Sequence, residues 1–270
     1  MSLDNPARAR VDASMEIDLE GGGELATSVA VSRPGVQETM GCRDGHGNEL
    51  DVRELSTDGG RVQIIDAPAG TLSLSYTAEV DLTAGDAHPV TPLDELVYTR
   101  PSRYCPSDRI AGLAAAEFAS VSPSEMGFAV EEWLHSTLSY VPGATDAEDD
   151  ALHPLLTRQG VCRDYAHLGI ALCRARGVPA RYTSVYAPGL DPMDFHAVFE
   201  IAVDGVWNVF DGTRLAPRQS LVRIASGRDA ADTALVSPTS AVVASMSHDL
   251  TVTTVGDLPV DDRTGLVSLA

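Results

Sequence analysis

Residues 158–168, RQGVCRDYAHL, decide how this chain is read. Gly160 marks a turn, and the apolar run just beyond it reads as a helix, so Cys162 stands where that helix starts. A cysteine used only for packing would lie deeper in the apolar pattern. At a helix start, unpaired backbone N–H groups and the positive end of the helix dipole favour the thiolate. The same periodicity says how the helix packs. Ala166, Gly169, Ile170 and Cys173 fall at i, i+3, i+4 and i+7, and Leu168, Leu172 and Ala175 make a second stripe. A helix apolar around most of its circumference is buried on several sides. Gly177, with Pro179 just after it, ends the helix.

Downstream, ARYTSVYA, HAVFEIAV and VWNVFDG read as strands, the last two joined by Asp204-Gly205, a strong two-residue hairpin signal. With those residues as the turn, Val203 pairs with Val206, Val198 faces Asp211 and His196 faces Thr213. Side chains alternate along a strand, so His196 and Asp211 share one face of the hairpin as diagonal neighbours. Such neighbours sit roughly 7–8 Å apart at the backbone, within reach of an imidazole–carboxylate hydrogen bond. A bulge would flip that parity. Together these residues supply a thiol nucleophile, a general base and an orienting carboxylate. The backbone N–H of Cys162 is the candidate donor to an oxyanion.

The run GVCRDYAHLGIALCRARGVPARYTSVY, followed by FHAVFEIAVDGVWNVFDGT, resembles the core of the bacterial transglutaminase-like superfamily of cysteine proteases and acyl transferases. Its G-V-C, R-A-x-G-x-P-A-R-Y, H-A and W-x-x-F-D elements occur in that family's order, within residues 96–230. The resemblance implies an α+β, papain-like core with the nucleophile helix packed on an antiparallel sheet. It carries the nucleophile onto Cys162, the base onto His196 and the orienting acid onto Asp211. Many relatives have an aromatic residue where this chain has Val198, and a proline where it has Gly212. Both changes flank the triad and bear on substrate shape. The implied reaction is acyl transfer from a carboxamide or peptide bond through a Cys thioester to water or an amine, with no metal or organic cofactor. The expected partner is a peptide or protein carrying an amide, with an amine as acceptor. A cysteine peptidase or amidase on peptide or cell-wall crosslinks, and a non-catalytic scaffold, stay open as rival readings.

Upstream, MEIDLE, LATSVAVSR, ELDVREL, RVQIIDA and TLSLSYTAEVDL alternate apolar and polar residues between Gly-rich turns, with RDGHGNEL a turn-rich connection. This predicts a small antiparallel β domain over residues 1–90 and a catalytic core over 91–270. Residues 84–108 act as a linker or wrapping segment rich in Pro, Ser and Asp. DGHGNELDVREL is loosely similar to the β domain that often precedes this core. SDRIAGLAAAEFAS reads as a helix with a Ser or Asp cap. SPSEMGFAVEEWLHSTLSY reads as another, with Ser122 capping, Pro123 in the first turn and Glu125 as capping-box partner. LHPLLTRQG reads as a short helix, and AVVASMSHDLTVTTV as a late strand pair or one long strand.

The chain has 270 residues, 44% of them hydrophobic, ample for a sizeable core. A net charge of −20 argues against nucleic-acid and anionic-membrane partners, whose phosphate field would repel it. No stretch approaches the roughly twenty apolar residues of a bilayer span, and MSLDNPARARVDASMEIDLE has no apolar secretory core. Cys42, Cys105, Cys162 and Cys173 are too scattered for a disulfide scaffold and include no C-x-x-C pair, so a cytoplasmic, reducing environment is expected. Cys173 reads as core, and Cys42 and His46 as surface residues beside a turn. Cys105 reads as wrapping on the core or lining its cleft. Asp164 and Tyr165 read as supports of the helix, and Tyr140 and Trp133 as core packing in preference to oxyanion or cleft roles. A Cys162–His167 metal site lacks tetrahedral ligand spacing.

Overall fold

The computed structural model describes residues 8–33, 35–82 and 88–269. Strict alternation makes β1 (Arg8–Gly21) a strand with one buried face, Val11, Met15, Ile17 and Leu19 pointing in while Asp12, Glu16 and Asp18 point out. The other N-terminal strands are β2 (Gly23–Thr27), β3 (Gln37–Asp44), β4 (Val52–Thr57), β5 (Gly60–Ala67) and β6 (Gly70–Asp81). A largely helical stretch follows, with α1 (Pro92–Val97), α2 (Ala111–Glu117), α3 (Met126–Thr137), β7 (Ser139–Tyr140), α4 (Leu152–Thr157), β8 (Gln159–Gly160) and α5 (Cys162–Ala175). The chain closes with β9 (Ala180–Tyr186), β10 (His196–Val203), β11 (Val206–Phe210), β12 (Val222–Gly227), β13 (Val236–Pro238) and β14 (Val242–Val255).

Two antiparallel sheets organise these elements. One runs β14-β1-β6-β3, and an eight-stranded sheet runs β11-β10-β9-β12-β5-β2-β13 with β4 on β5. The expected partition at residue 90 is therefore crossed by hydrogen bonds. Strand β5 meets β12 at Gly60 and Ala225, and β14 pairs along the whole of β1, from Arg8–Val255 to Gly21–Val242. The sheets' inward faces enclose one core, which also takes in Tyr186, Val222 and Ile224. A second core lies where α2, α3 and α5 cover β9, β10 and β11, around Leu168, Ile170, Leu172, Phe199 and Phe210.

Helix α5 is buried at every position from Asp164 to Arg174, as its two apolar stripes predict. Gly169 permits that depth, because a Cβ there would stand 2.9 Å from the Phe199 ring. The hairpin has the expected register, Val203–Val206 through Phe199–Phe210, with no bulge. Asp204 and Gly205 take φ of 51° and 76°, the type I′ turn whose twist suits the flanking strands.

Other segments depart from expectation. The helix predicted through Tyr140 ends at Thr137, because Ser139 and Tyr140 pair in parallel with Gln159 and Gly160. Helix α2 starts at Ala111 with no side-chain cap from Ile110, following a 3-10 turn at Ser107–Arg109. Ser122 donates to the Glu125 side chain (2.6 Å) without capping a backbone N–H. Strand β3 is unanticipated, since QETMGCRD offers only Met40 and Cys42 as apolar inward residues. It turns Cys42 against Leu74 in the core, correcting the surface placement, while His46 is exposed. LATSVAVSR stops being a strand at Thr27, and the buried Val29 and Val31 N–H groups donate to Gln63 Oε1 (3.3 Å) and the Tyr76 hydroxyl (2.9 Å). Cys105 is fully buried, so its segment wraps on the helical core. The late strand is one long strand, β14.

Candidate active site

The start of α5 is built by a carboxylate. Val161, the residue before the helix, has no side-chain oxygen to cap it, and the buried Asp164 Oδ2 instead accepts the Val161 N–H (2.8 Å) and the Thr145 hydroxyl (2.6 Å). Gly160 makes room for this, since a Cβ there would fall 2.7 Å from Asp164 Cβ. Asp164 thus supports the helix, as expected. The thiol of Cys162 is partly exposed at the first helical position, while Cys42, Cys105 and Cys173 are buried. Burial pushes the Cys42 thiol up to about 11 and the Cys105 thiol up to about 12, and raises that of Cys173 as well.

The hairpin supplies the partners. His196 opens β10 and Asp211 follows the last residue of β11, so the register sets them side by side. His196 Nε2 lies 3.0 Å from Asp211 Oδ2, with both side chains 1% exposed. Asp211 Oδ1 accepts the Thr213 N–H (2.9 Å) and hydroxyl (2.7 Å). His196 Nδ1 makes no hydrogen bond within the usual limits, and it is the nitrogen left for the nearby thiol of Cys162. Burial disfavours charge on this ring, but Asp211 and then Cys162 outweigh it and push the imidazole up to about 10. Burial also opposes the charge of Asp211, yet His196 and Thr213 hold its carboxyl below the usual range.

Tyr140 joins the site, contrary to its expected place in the core. It is 41% exposed, and its hydroxyl lies close to the backbone N–H and the thiol of Cys162. Burial, then the charges of Cys162 and Asp194, raise this phenol to about 12, so it keeps its proton. The parallel pair Tyr140–Gly160, extended by the Val141 N–H to the Gly160 carbonyl (3.0 Å), brings it there. The available sequence signal was Pro142-Gly143, which favours a turn soon after SYV. Trp133 stays in a packing role, edge-on to Phe118 at 6.3 Å with its indole N–H on Glu117 (3.1 Å). Tyr165 is buried beside Tyr140. His167 lies between the rings of Tyr104 (5.2 Å) and Tyr182 (5.1 Å) and accepts the Ala230 N–H (3.1 Å). A hollow of about 920 Å³ on the four-stranded sheet, between Ser14, Gly41 and Ser75, touches neither Tyr140 nor the three predicted site residues.

A thiol at a helix start, facing an imidazole bound to a carboxylate on the adjoining antiparallel sheet, has the layout of a papain-like α+β core. The family model of the transglutaminase-like superfamily matches residues 114–212. A candidate cysteine protease from Cytophaga hutchinsonii is 31% identical, with the match covering 97% of this chain and 96% of that one at a TM-score of 0.82. An uncharacterized protein of Mycobacterium leprae is 29% identical over 144 residues, 50% of this chain and 52% of the relative. One from Mycobacterium tuberculosis is 28% identical over 192 residues, 59% of this chain and 55% of the relative. The chain spans about half the length of these curated relatives. It belongs to the transglutaminase-like superfamily, and its fold is that of cysteine-dependent hydrolases and transferases.

Proposed function

We propose that this chain is a thiol-dependent acyltransferase or hydrolase in which Cys162 is the nucleophile, His196 the general base and acid, and Asp211 the orienting carboxylate. One observation carries the reading: a partly exposed thiol lies near a buried, carboxylate-bound imidazole whose Nδ1 has no hydrogen-bond partner. The thiol gives its proton to His196 Nδ1, and sulfur attacks the carbonyl carbon of an amide. The oxyanion that forms is met by the Cys162 N–H and the Tyr140 hydroxyl. His196 then protonates the departing amine as the C–N bond breaks, leaving a thioester. An incoming amine or water gives a proton to His196, displaces the sulfur, and restores the thiol.

The substrate is an amide-bearing peptide or protein, and the net charge of −20 favours neutral or cationic molecules over anionic ones. The peptidase or amidase form, with water as acceptor, is favoured by the likeness to the candidate cysteine protease from Cytophaga hutchinsonii. Iodoacetamide labelling with mass spectrometry at neutral pH tests the core of the reading. Cys162 is expected to react about tenfold faster than Cys42, Cys105 and Cys173, and His196→Ala to remove most of that lead. A Cys162 that labels no faster than the buried thiols, or a rate indifferent to His196, would leave only a scaffold.

A further inference from the structure

Among the described residues, the non-glycine residues with left-handed backbone are Arg158, Asp204, Arg214 and Arg263. Asp204 is in the hairpin turn and Arg158 caps the end of α4. Arg214 and Arg263, both at φ 59°, lie far apart in sequence and yet grip the same carboxylate. Arg263 Nη1 donates to Oε1 of Glu131 (3.3 Å), which is 1% exposed on α3, and Arg214 Nε stands 3.5 Å from the same oxygen as an ion pair without a hydrogen bond. A left-handed residue with a Cβ costs free energy and persists only where its surroundings over-determine it. Here the surroundings adjoin Asp211.

The Arg214 N–H donates to the Asp211 carbonyl (3.1 Å), closing the turn that carries the carboxylate. Its Nη2 donates to Glu132 Oε2 (2.6 Å), so two successive residues of α3 hold one guanidinium. The turn is pressed on α3 at Gly212 too, where a Cβ would lie 2.9 Å from Leu134 Cβ. Asp211 is near enough to add to the burial that raises the Glu131 carboxyl, against the pull of Arg218, Arg263 and Arg214. Arg218, fully buried and paired with Asp261 (2.8 Å), donates to the Val209 carbonyl (3.3 Å) just ahead of Asp211.

We infer that Arg214 is a positioning residue: its guanidinium, hydrogen-bonded to Glu132 and ion-paired with the buried Glu131, holds the 211–214 turn in the conformation that aims the Asp211 carboxylate at His196. The inference rests on the triad proposed above. Without the guanidinium, the left-handed backbone loses its tether to α3, and the turn relaxes so that the carboxylate drifts from the imidazole although Thr213 still donates to it.

The sign of one measurement separates this from a plain charge effect. Removing a nearby cation favours the protonated imidazole, whereas losing the aim of Asp211 disfavours it. NMR titration of the His196 ring is therefore followed in wild type, Arg214→Leu and Arg214→Gly, with near-UV circular dichroism reporting the fold. Both variants are expected to lower the His196 midpoint by about one pH unit or more and to slow iodoacetamide labelling of Cys162 about tenfold at neutral pH. Arg214→Gly relieves the backbone strain, so it keeps the test open where the leucine variant does not fold. An unchanged or raised His196 midpoint in a folded variant overturns the inference. So does a glycine variant that behaves as wild type, since backbone shape alone would then aim the carboxylate. A wild-type His196 with an ordinary midpoint would sink the triad reading itself.

Discussion

Tyr140 shows how one residue can change the chemistry available to a thiol. Its hydroxyl keeps its proton and lies near the Cys162 N–H, where the proposed acyl transfer would develop negative charge. Tyr140→Phe is expected to slow hydrolysis of a p-nitrophenyl ester about 100-fold while changing iodoacetamide labelling of Cys162 by less than about twofold, because alkylation forms no oxyanion. Equal losses in both reactions would assign the hydroxyl to the thiol instead. The positions of the three candidate site residues were legible one by one, from a helix start and a hairpin parity. Tyr140 was not, because its role depends on a two-residue parallel pair too short to leave a pattern.

At the scale of elements, α5 does two jobs along one length. Its first turn presents the thiol, and its interior fastens the 100–106 segment through His167 stacked on Tyr104. Burial, then the charges of Arg163 and Arg174, push this imidazole down to about 3. As pH falls, an unfolded histidine takes up its proton near pH 6.5 while the folded one refuses it until about pH 3. Acid therefore favours the unfolded chain throughout that window, by up to roughly 1.4 kcal/mol per pH unit. Urea unfolding between about pH 6.5 and pH 4 should show falling stability in wild type and a shallower fall in His167→Gln. Parallel slopes would place the acid sensitivity elsewhere. The sheet that carries His196 has its own buried tie, Glu200 accepting from Arg181 (2.8 Å) and Thr183 (2.7 Å) and so linking β9 to β10. Burial opposes its charge, yet Arg181 and Arg223 hold this carboxyl down at about 2.

Over the whole molecule, the two halves are joined by backbone pairing. The eight-stranded sheet continues from β12 into β5, and the C-terminal β14 completes the N-terminal sheet along β1. Breaking either half exposes the apolar face and unpaired edge of the other, so unfolding should be cooperative. Urea transitions followed by tryptophan fluorescence, which reports Trp133 and Trp207 in the downstream half, and by far-UV circular dichroism are expected to coincide. Two separated transitions would restore an independent unit near residues 1–90.

The sequence by itself determined what near neighbours along the chain decide. These are the helix beginning at Cys162, its burial on several sides, the Asp204-Gly205 turn and the register that puts His196 beside Asp211. Each depends on periodicity or on the dihedral preferences of a few adjacent residues. Only the tertiary structure decided which distant surfaces meet. It set the thiol against the imidazole, Tyr140 over the start of α5, Cys42 inward, and β14 on β1. Those contacts come from burying apolar faces and pairing strand edges, forces that choose partners by shape and area and leave little trace in the order of residues.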